Sequence, residues 1–128
     1  MKQARKVVVD TNFLVLGFQF GIDLVRELDR VVEERYELVV SEMVARELEM
    51  LAAGRRRGTP FARLALRLIH EKRVRVEKSE ERVDDWIVGY ARANSALACT
   101  NDRGLRERLR KARVRTIVMK GKTHLDFY

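Results

Sequence analysis

The sequence predicts an α/β domain, a doubly wound parallel sheet of five strands flanked by helices, and three observations point there. Val7-Val8-Val9 is an unbroken β-branched run, as expected of a strand buried on both faces in the middle of a parallel sheet. Strand-like and helix-like segments alternate down the whole chain, the pattern of successive βα units. Acids follow two of the apolar strands directly, at the carboxyl edge where open α/β sheets place their ligands. With 128 residues, the chain is expected to form one domain over 1–128, large enough for a real core and too small for two.

The first strand ends abruptly in Asp10, and the apolar, weakly periodic stretch 13–21 reads as an irregular turn of helix. Ile22, Val25, Leu28 and Val32 then recur at helical spacing and mark an amphipathic helix ending near Arg35. A second short strand is expected at 36–40. Ser41 caps a helix running to about Ala53, with Gly54 as its stop. Beyond the basic loop Arg55-Arg56-Arg57-Gly58, Thr59 and Pro60 supply a cap and a first-turn proline for another helix. Residues 73–77 alternate but are charged, so they belong at a sheet edge. Val83, Trp86, Ile87, Tyr90 and Ala91 give a further helix, and 95–100 an apolar strand. Asp102 caps a helix to about Lys111, and 114–119 forms the last strand. No internal repeat, linker or low-complexity segment interrupts the series.

A net charge of +8 and a pI near 10.1 suit a polyanionic partner, most simply nucleic acid. Charged residues make up 36% of the chain, a bias seen in proteins from hot environments, so some arginines are expected to serve stability. Cys99 is the one cysteine and can make no internal disulfide, which fits a reducing cytoplasm. No long apolar run or signal-like leader is present, so neither a membrane span nor secretion is expected.

If the first three strands wind one way from Val7-Val8-Val9 and the last two the other way, strands one and four are neighbours. Asp10 and Asp102 then face each other across the switch-point crevice. Glu47 shares a helix face with Val44, Leu48 and Leu51, while Glu42 and Glu49 turn to solvent. A carboxylate in an apolar stripe is costly unless compensated, by a cation or by an ion pair with one of the many arginines. The doublet Asp84-Asp85 opens the helix before strand four, where acids taken singly are ordinary first-turn residues. Four acidic positions on one rim repel one another, which makes sense when a cation neutralises them, and oxygen-only ligands suit Mg²⁺ or Mn²⁺. His70 and His124 are poorly placed for acid/base chemistry on RNA, no zinc-ligand spacing occurs, and Cys99 reads as a small core residue. Gly17 and Gly21 do not make a phosphate loop.

Four segments in order resemble the PIN-domain ribonucleases: Val-Val-Asp10-Thr11-Asn12, Val44-Ala-Arg-Glu47-Leu-Glu-Met-Leu, Val83-Asp84-Asp85-Trp-Ile-Val and Ala98-Cys-Thr100-Asn-Asp102-Arg-Gly-Leu. The resemblance covers essentially the whole chain. It implies a five-stranded parallel sheet, a rim of acids binding one or two Mg²⁺ or Mn²⁺ ions, and hydrolytic cleavage of RNA. Carried onto this sequence, the catalytic and metal-binding acids are Asp10, Glu47, Asp84 and Asp102, with Asp85 beside the third. Thr11, Asn12 and Thr100 are the supporting residues. Many family members carry a further acid two residues after the fourth, and Gly104 stands there, which removes a ligand for a second metal. Within the family the chain is most similar to the small PIN nucleases that process pre-ribosomal RNA, and next to VapC-type toxins. The partners so implied are RNA, a second copy of the chain, and an antitoxin or a ribosome-assembly factor.

On this reading a metal held by Asp10 and Asp102 activates water, and Glu47 and Asp84 orient a second metal or the water. Arg55, Arg56, Arg57, Arg103, Arg106, Arg110 and Lys111 are expected to hold flanking phosphates. Two rivals stand beside it. A phospho-acceptor receiver domain would also carry an acid after strand one and a lysine, here Lys120, after strand five, but Glu77-Lys78-Ser79 offers no aspartate after strand three. An inactive PIN domain that only binds RNA would keep the same fold.

Overall fold

The computed structural model describes residues 3–128. Its elements in order are β1 (Arg5–Val9), α1 (Thr11–Gln19), α2 (Leu24–Val31), β2 (Tyr36–Ser41), α3 (Glu42–Ala52), α4 (Thr59–Glu71), β3 (Arg75–Glu77), α5 (Val83–Asn94), β4 (Leu97–Cys99), α6 (Arg103–Lys111), β5 (Thr116–Lys120) and β6 (His124–Phe127). The strands form one six-stranded sheet in the order β3-β2-β1-β4-β5-β6. β1 to β5 are parallel and β6 returns antiparallel beside β5. The chain reverses its winding between β1 and β4, as expected. A receiver-type order would set the third strand beside the first; here β3 lies at the edge, beside β2.

Alternation along β1 divides the core into two layers. Val7 and Val9 pack with Phe13, Leu28 and Leu48 on one face of the sheet, while Val8 packs with Trp86, Ile87 and Leu105 on the other. All three valines are buried, so the central strand contributes to both cores and cannot slip by one residue without exchanging its faces.

Three expectations are corrected. The sheet has six strands, not five, because the stretch after β5 does not trail away: Gly121 and Lys122 both take positive φ, 60° and 57°, in a tight turn closed by the Thr123 amide donating to the Lys120 carbonyl. Two left-handed residues give the turn the twist a hairpin needs. Leu125, wholly buried, then anchors β6 to α2: its amide donates to Glu27 and its carbonyl accepts from Arg30. The stretch after Asn12 is no irregular turn but a regular helix, and its weak periodicity reflects burial on several sides rather than disorder of the backbone. Within it Gly17 admits Leu24 so closely that a Cβ would stand 2.7 Å from the leucine side chain. Thr59 does not cap α4 either. Its hydroxyl instead donates to the Leu51 carbonyl and accepts from the Arg56 amide, closing the basic loop onto the end of α3.

Candidate active site

Asp10 sits where β1 gives way to α1, its amide donating to the Cys99 carbonyl of β4. It is 8% exposed, and although it occupies the N-cap position its side chain makes no capping hydrogen bond. The carboxylate instead accepts from the Thr100 hydroxyl at 3.0 Å. Thr100 is wholly buried, and its Oγ1 also accepts the Asp102 amide at 3.0 Å, so one hydroxyl joins the carboxyl ends of the two central strands. Burial pushes the Asp10 carboxyl up to about 6, and the nearby Asp84 and Asp102 charges add to the rise; the Thr100 hydroxyl and the Thr11 amide oppose it.

The other acids arrive from three helices. Asp102 is exposed and caps α6, its Oδ1 accepting the Leu105 amide at 2.7 Å. Asp84 lies half-buried in the first turn of α5 and faces Asp10 closely enough to raise its pKa. Asp85, its neighbour, turns out to an ion pair with Arg108 at 2.9 Å and ties α5 to α6. Glu47 lies on the same helix as buried Val44 and Leu48 but is itself exposed; its Oε1 accepts the Thr11 hydroxyl at 2.8 Å, across from the start of α1. The alternative partner, an arginine, makes no ion pair with Glu47 among the described residues. Gly104 is exposed, and a Cβ there would stand 3.3 Å from Asp102 Oδ1, so a side chain would crowd that carboxylate.

The donor set is oxygen-only and carries a surplus of negative charge beside a buried carboxylate, a chemistry that suits a hard divalent cation. Among the described residues no three acidic, histidine or cysteine side chains are drawn together closely enough to hold a metal ion. The supporting residues divide: Thr11 and Thr100 each bond an acid, whereas Asn12 is exposed and makes no side-chain hydrogen bond among the described residues. Sequence reasoning passed over Asn101. Its side chain accepts the Met119 amide at 2.8 Å and donates to the Met119 carbonyl at 3.4 Å, fixing the loop that carries Asp102 against β5. A polar residue between a buried strand end and a helix cap was the available signal. Cys99 is wholly enclosed and its thiol pushed far up by burial, so it is no nucleophile.

Of the predicted phosphate-holding residues, Arg55, Arg56 and Arg57 are exposed in the loop after α3, and Arg103, Arg106, Arg110 and Lys111 ride on α6. A concavity of about 650 Å³ opens elsewhere, at the opposite edge of the sheet among Tyr36, Glu37, Lys72 and Arg73, and contains none of the predicted acids. No helix among the described residues is long and apolar enough to cross a membrane.

The Thr100 hydroxyl gives a test of this arrangement. Thr100→Val keeps the volume, removes the bond that holds Asp10 and strands the Asp102 amide. It is expected to lower activity by about 10–100-fold, as loss of a group orienting a ligand does. Because the lost bond had favoured the ionised carboxyl, the acid limb of the rate profile should also move to higher pH, which plain destabilisation would not cause. Thr100→Ser should restore both. An unmoved limb in the valine variant refutes the role.

The chain is similar to known proteins along most of its length. Residues 7–122 match the family model described as PIN like domain. The chain is 29% identical over 126 residues to Ribonuclease VapC4 of Methanocaldococcus jannaschii, covering 96% of each. It is 28% identical over 115 residues to the rRNA-processing protein FCF1 of Saccharomyces cerevisiae, covering 87% of this chain and 57% of that protein, so it spans little more than half the yeast protein's length. Among solved structures, the PIN domain endonuclease Utp24 superposes with a TM-score of 0.79 at 26% identity, over 95% of this chain and 90% of that one. A domain of a functionally unknown protein from Methanocaldococcus jannaschii shares the fold, with a TM-score of 0.64 at 20% identity over 92% of this chain and 93% of its own. With the family model matching along nearly the whole length and the fold in accord, the chain belongs to the PIN-like domain family.

Proposed function

We propose that residues 1–128 form one nuclease domain that hydrolyses RNA phosphodiester bonds with Mg²⁺ or Mn²⁺ and acts in ribosomal RNA processing in the cytoplasm. The observation that carries this reading is Asp10: a buried carboxylate at the switch point, released from helix capping and pushed up to about 6 with two further acids beside it. Structural caps do not need that environment, whereas sites that bind cations or move protons do.

Asp10, Asp84 and Asp102 would hold the cation, with Glu47 at the margin. A bound divalent ion supplies Lewis-acid stabilisation of charge on the phosphate and a more acidic water. The chain supplies orientation. Thr100 fixes Asp10, the Leu105 amide fixes Asp102, and Thr11 fixes Glu47. The arginines hold phosphates on either side, which needs an open surface rather than an enclosed pocket. Asp85 serves the α5–α6 contact through Arg108 instead of the cation.

A second reading, a toxin ribonuclease governed by an antitoxin, is favoured by one observation: similarity to VapC4 covers 96% of both chains. An antitoxin reading frame immediately upstream, with growth arrest on expression alone, would select it; accumulation of unprocessed ribosomal RNA on depletion would select the first. For the activity itself, purified protein should cut single-stranded RNA with Mg²⁺ or Mn²⁺ and stop in chelator. Cleavage at the same rate without metal, or none with it, overturns the proposal.

A further inference from the structure

Away from the acidic rim, three concavities join into a track. The first, about 330 Å³, lies along α6 between Arg103, Arg106, Arg110 and Tyr128. The second, about 290 Å³, shares Arg106, Arg110 and Tyr128 with it and adds Arg115 and Phe127. The third, about 280 Å³, shares Arg115 and is walled by Arg5, Arg92 and Arg113. Arg103 directly follows Asp102, and α6 leads about 13 Å away from the rim. The track therefore starts at the candidate active site and ends at the opposite edge of the sheet.

Its walls are mostly basic. Among the described residues the one acid lining these three concavities is Glu107, which Arg110 engages, while at the far end Arg5 pairs with Glu34 and a neighbouring hollow brings Glu33 and Asp126 near Arg115. Arg92, Arg103, Arg106, Arg113 and Arg115 have no carboxylate partner among the described residues. Two buried side-chain nitrogens among the described residues lack a hydrogen-bond partner, Arg5 Nε and Arg106 Nε, and both residues line this track, one towards each end. Buried donors left unpaired are costly and want an acceptor. Aromatic rings alternate with the charges: the Arg106 guanidinium lies 4.4 Å over Tyr128, which is 72% exposed, and that of Arg115 lies 3.8 Å over Phe127.

Phosphate oxygens would satisfy the arginines and an unpaired base would stack on the open ring, the combination by which single strands are held. We infer that this track binds the single-stranded RNA flanking the cleavage point, with phosphates on Arg92, Arg106, Arg113 and Arg115 and a base on Tyr128. The inference rests on reading the chain as a ribonuclease but concerns binding alone.

It is tested with the full chain in chelator, by fluorescence anisotropy of labelled oligouridylates of roughly 20 and roughly 4 nucleotides over a range of salt. The longer strand should bind more tightly than the shorter. Replacing Arg92, Arg113 and Arg115 together with Ala should reduce the steepness of log affinity against log salt by about 2, since each phosphate contact on a single strand contributes roughly 0.7. Lysines at the same three positions should keep the slope. Tyr128→Leu should weaken binding several-fold at an unchanged slope. If the triple alanine variant folds poorly, Arg92→Glu at an exposed position of α5 serves instead, with a slope reduced by about 0.7 or more. Equal slopes for wild type and variant, equal affinity for both lengths, or preference for polyglutamate over RNA overturns the inference. RNA that is bound in chelator but never cut with metal would refute the nuclease reading and leave the track standing.

Discussion

Asp10→Asn will lower metal-dependent RNA cleavage by more than about a hundredfold while the protein stays folded, and Asp102→Asn will do the same, the scale of loss seen when one preorganised charge-stabilising group is removed. The two substitutions test different things. Asp10 has no capping bond to lose, and asparagine keeps an acceptor for the Thr100 hydroxyl, so little of the fold depends on its charge. Asp102 does cap α6 through the Leu105 amide, but asparagine caps as well as aspartate. Loss of cleavage without loss of melting temperature in either variant assigns the acids to chemistry. Unfolding of Asp10→Asn, or retained cleavage, would return Asp10 to a structural role. Single-turnover cleavage and thermal melting on the same preparations decide it.

The second large effect is on stability, and its sign is unusual. A carboxyl held at about 6 in the folded protein against an ordinary 3.8 opposes folding once it must ionise. Below about 4 the group is protonated in both states and opposes nothing. Between there and 6 the unfolded chain gives up its proton first, so the opposition grows with pH and is complete above 6. A difference of a little over two pH units, at 1.36 kcal/mol each, amounts to about 3 kcal/mol. Asp10→Asn should therefore melt higher than wild type at pH 7 in chelator, and the gap should close towards pH 4. Glu27 contributes in the opposite direction: the Arg30 side chain and the Leu125 amide hold it at about 2, so its support for the α2–β6 contact fades only as pH falls below the ordinary 4.5. That process is common to both proteins and cancels in the comparison. Saturating Mg²⁺ or Mn²⁺ should raise wild-type stability by about 2.7 kcal/mol at a hundred times the dissociation constant, and Asp10→Asn should lose most of that gain. A variant less stable than wild type at every pH, together with no response of wild type to metal, would show that Asp10 is there to hold the helix.

Local chemistry sufficed for much of this molecule. The Val7-Val8-Val9 run, the Ser41 and Asp102 caps and the charged edge strand at 75–77 each obey short-range rules, and each stands where those rules place it. The winding order followed as well, because a buried parallel strand needs helices on both faces and right-handed crossovers leave few ways to supply them. No local rule could distinguish an apolar helix enclosed on several sides from an irregular turn, which is why α1 was not legible. Nor could one see that His124-Leu125-Asp126-Phe127 closes the sheet, since that strand is made by a two-residue left-handed turn and by Glu27 and Arg30, about a hundred residues away in the chain. The roles within Asp84-Asp85 were equally invisible: adjacent helical positions point about 100° apart, and which of them meets Asp10 and which meets Arg108 depends on how α5 is rotated against α6. Likewise the arginines of 5, 92, 106, 113 and 115 look like scattered surface charge along the chain, and only the packing of α6 beside the β5–β6 hairpin gathers them into one surface, because side-chain charge is local while proximity is a property of the assembled sheet.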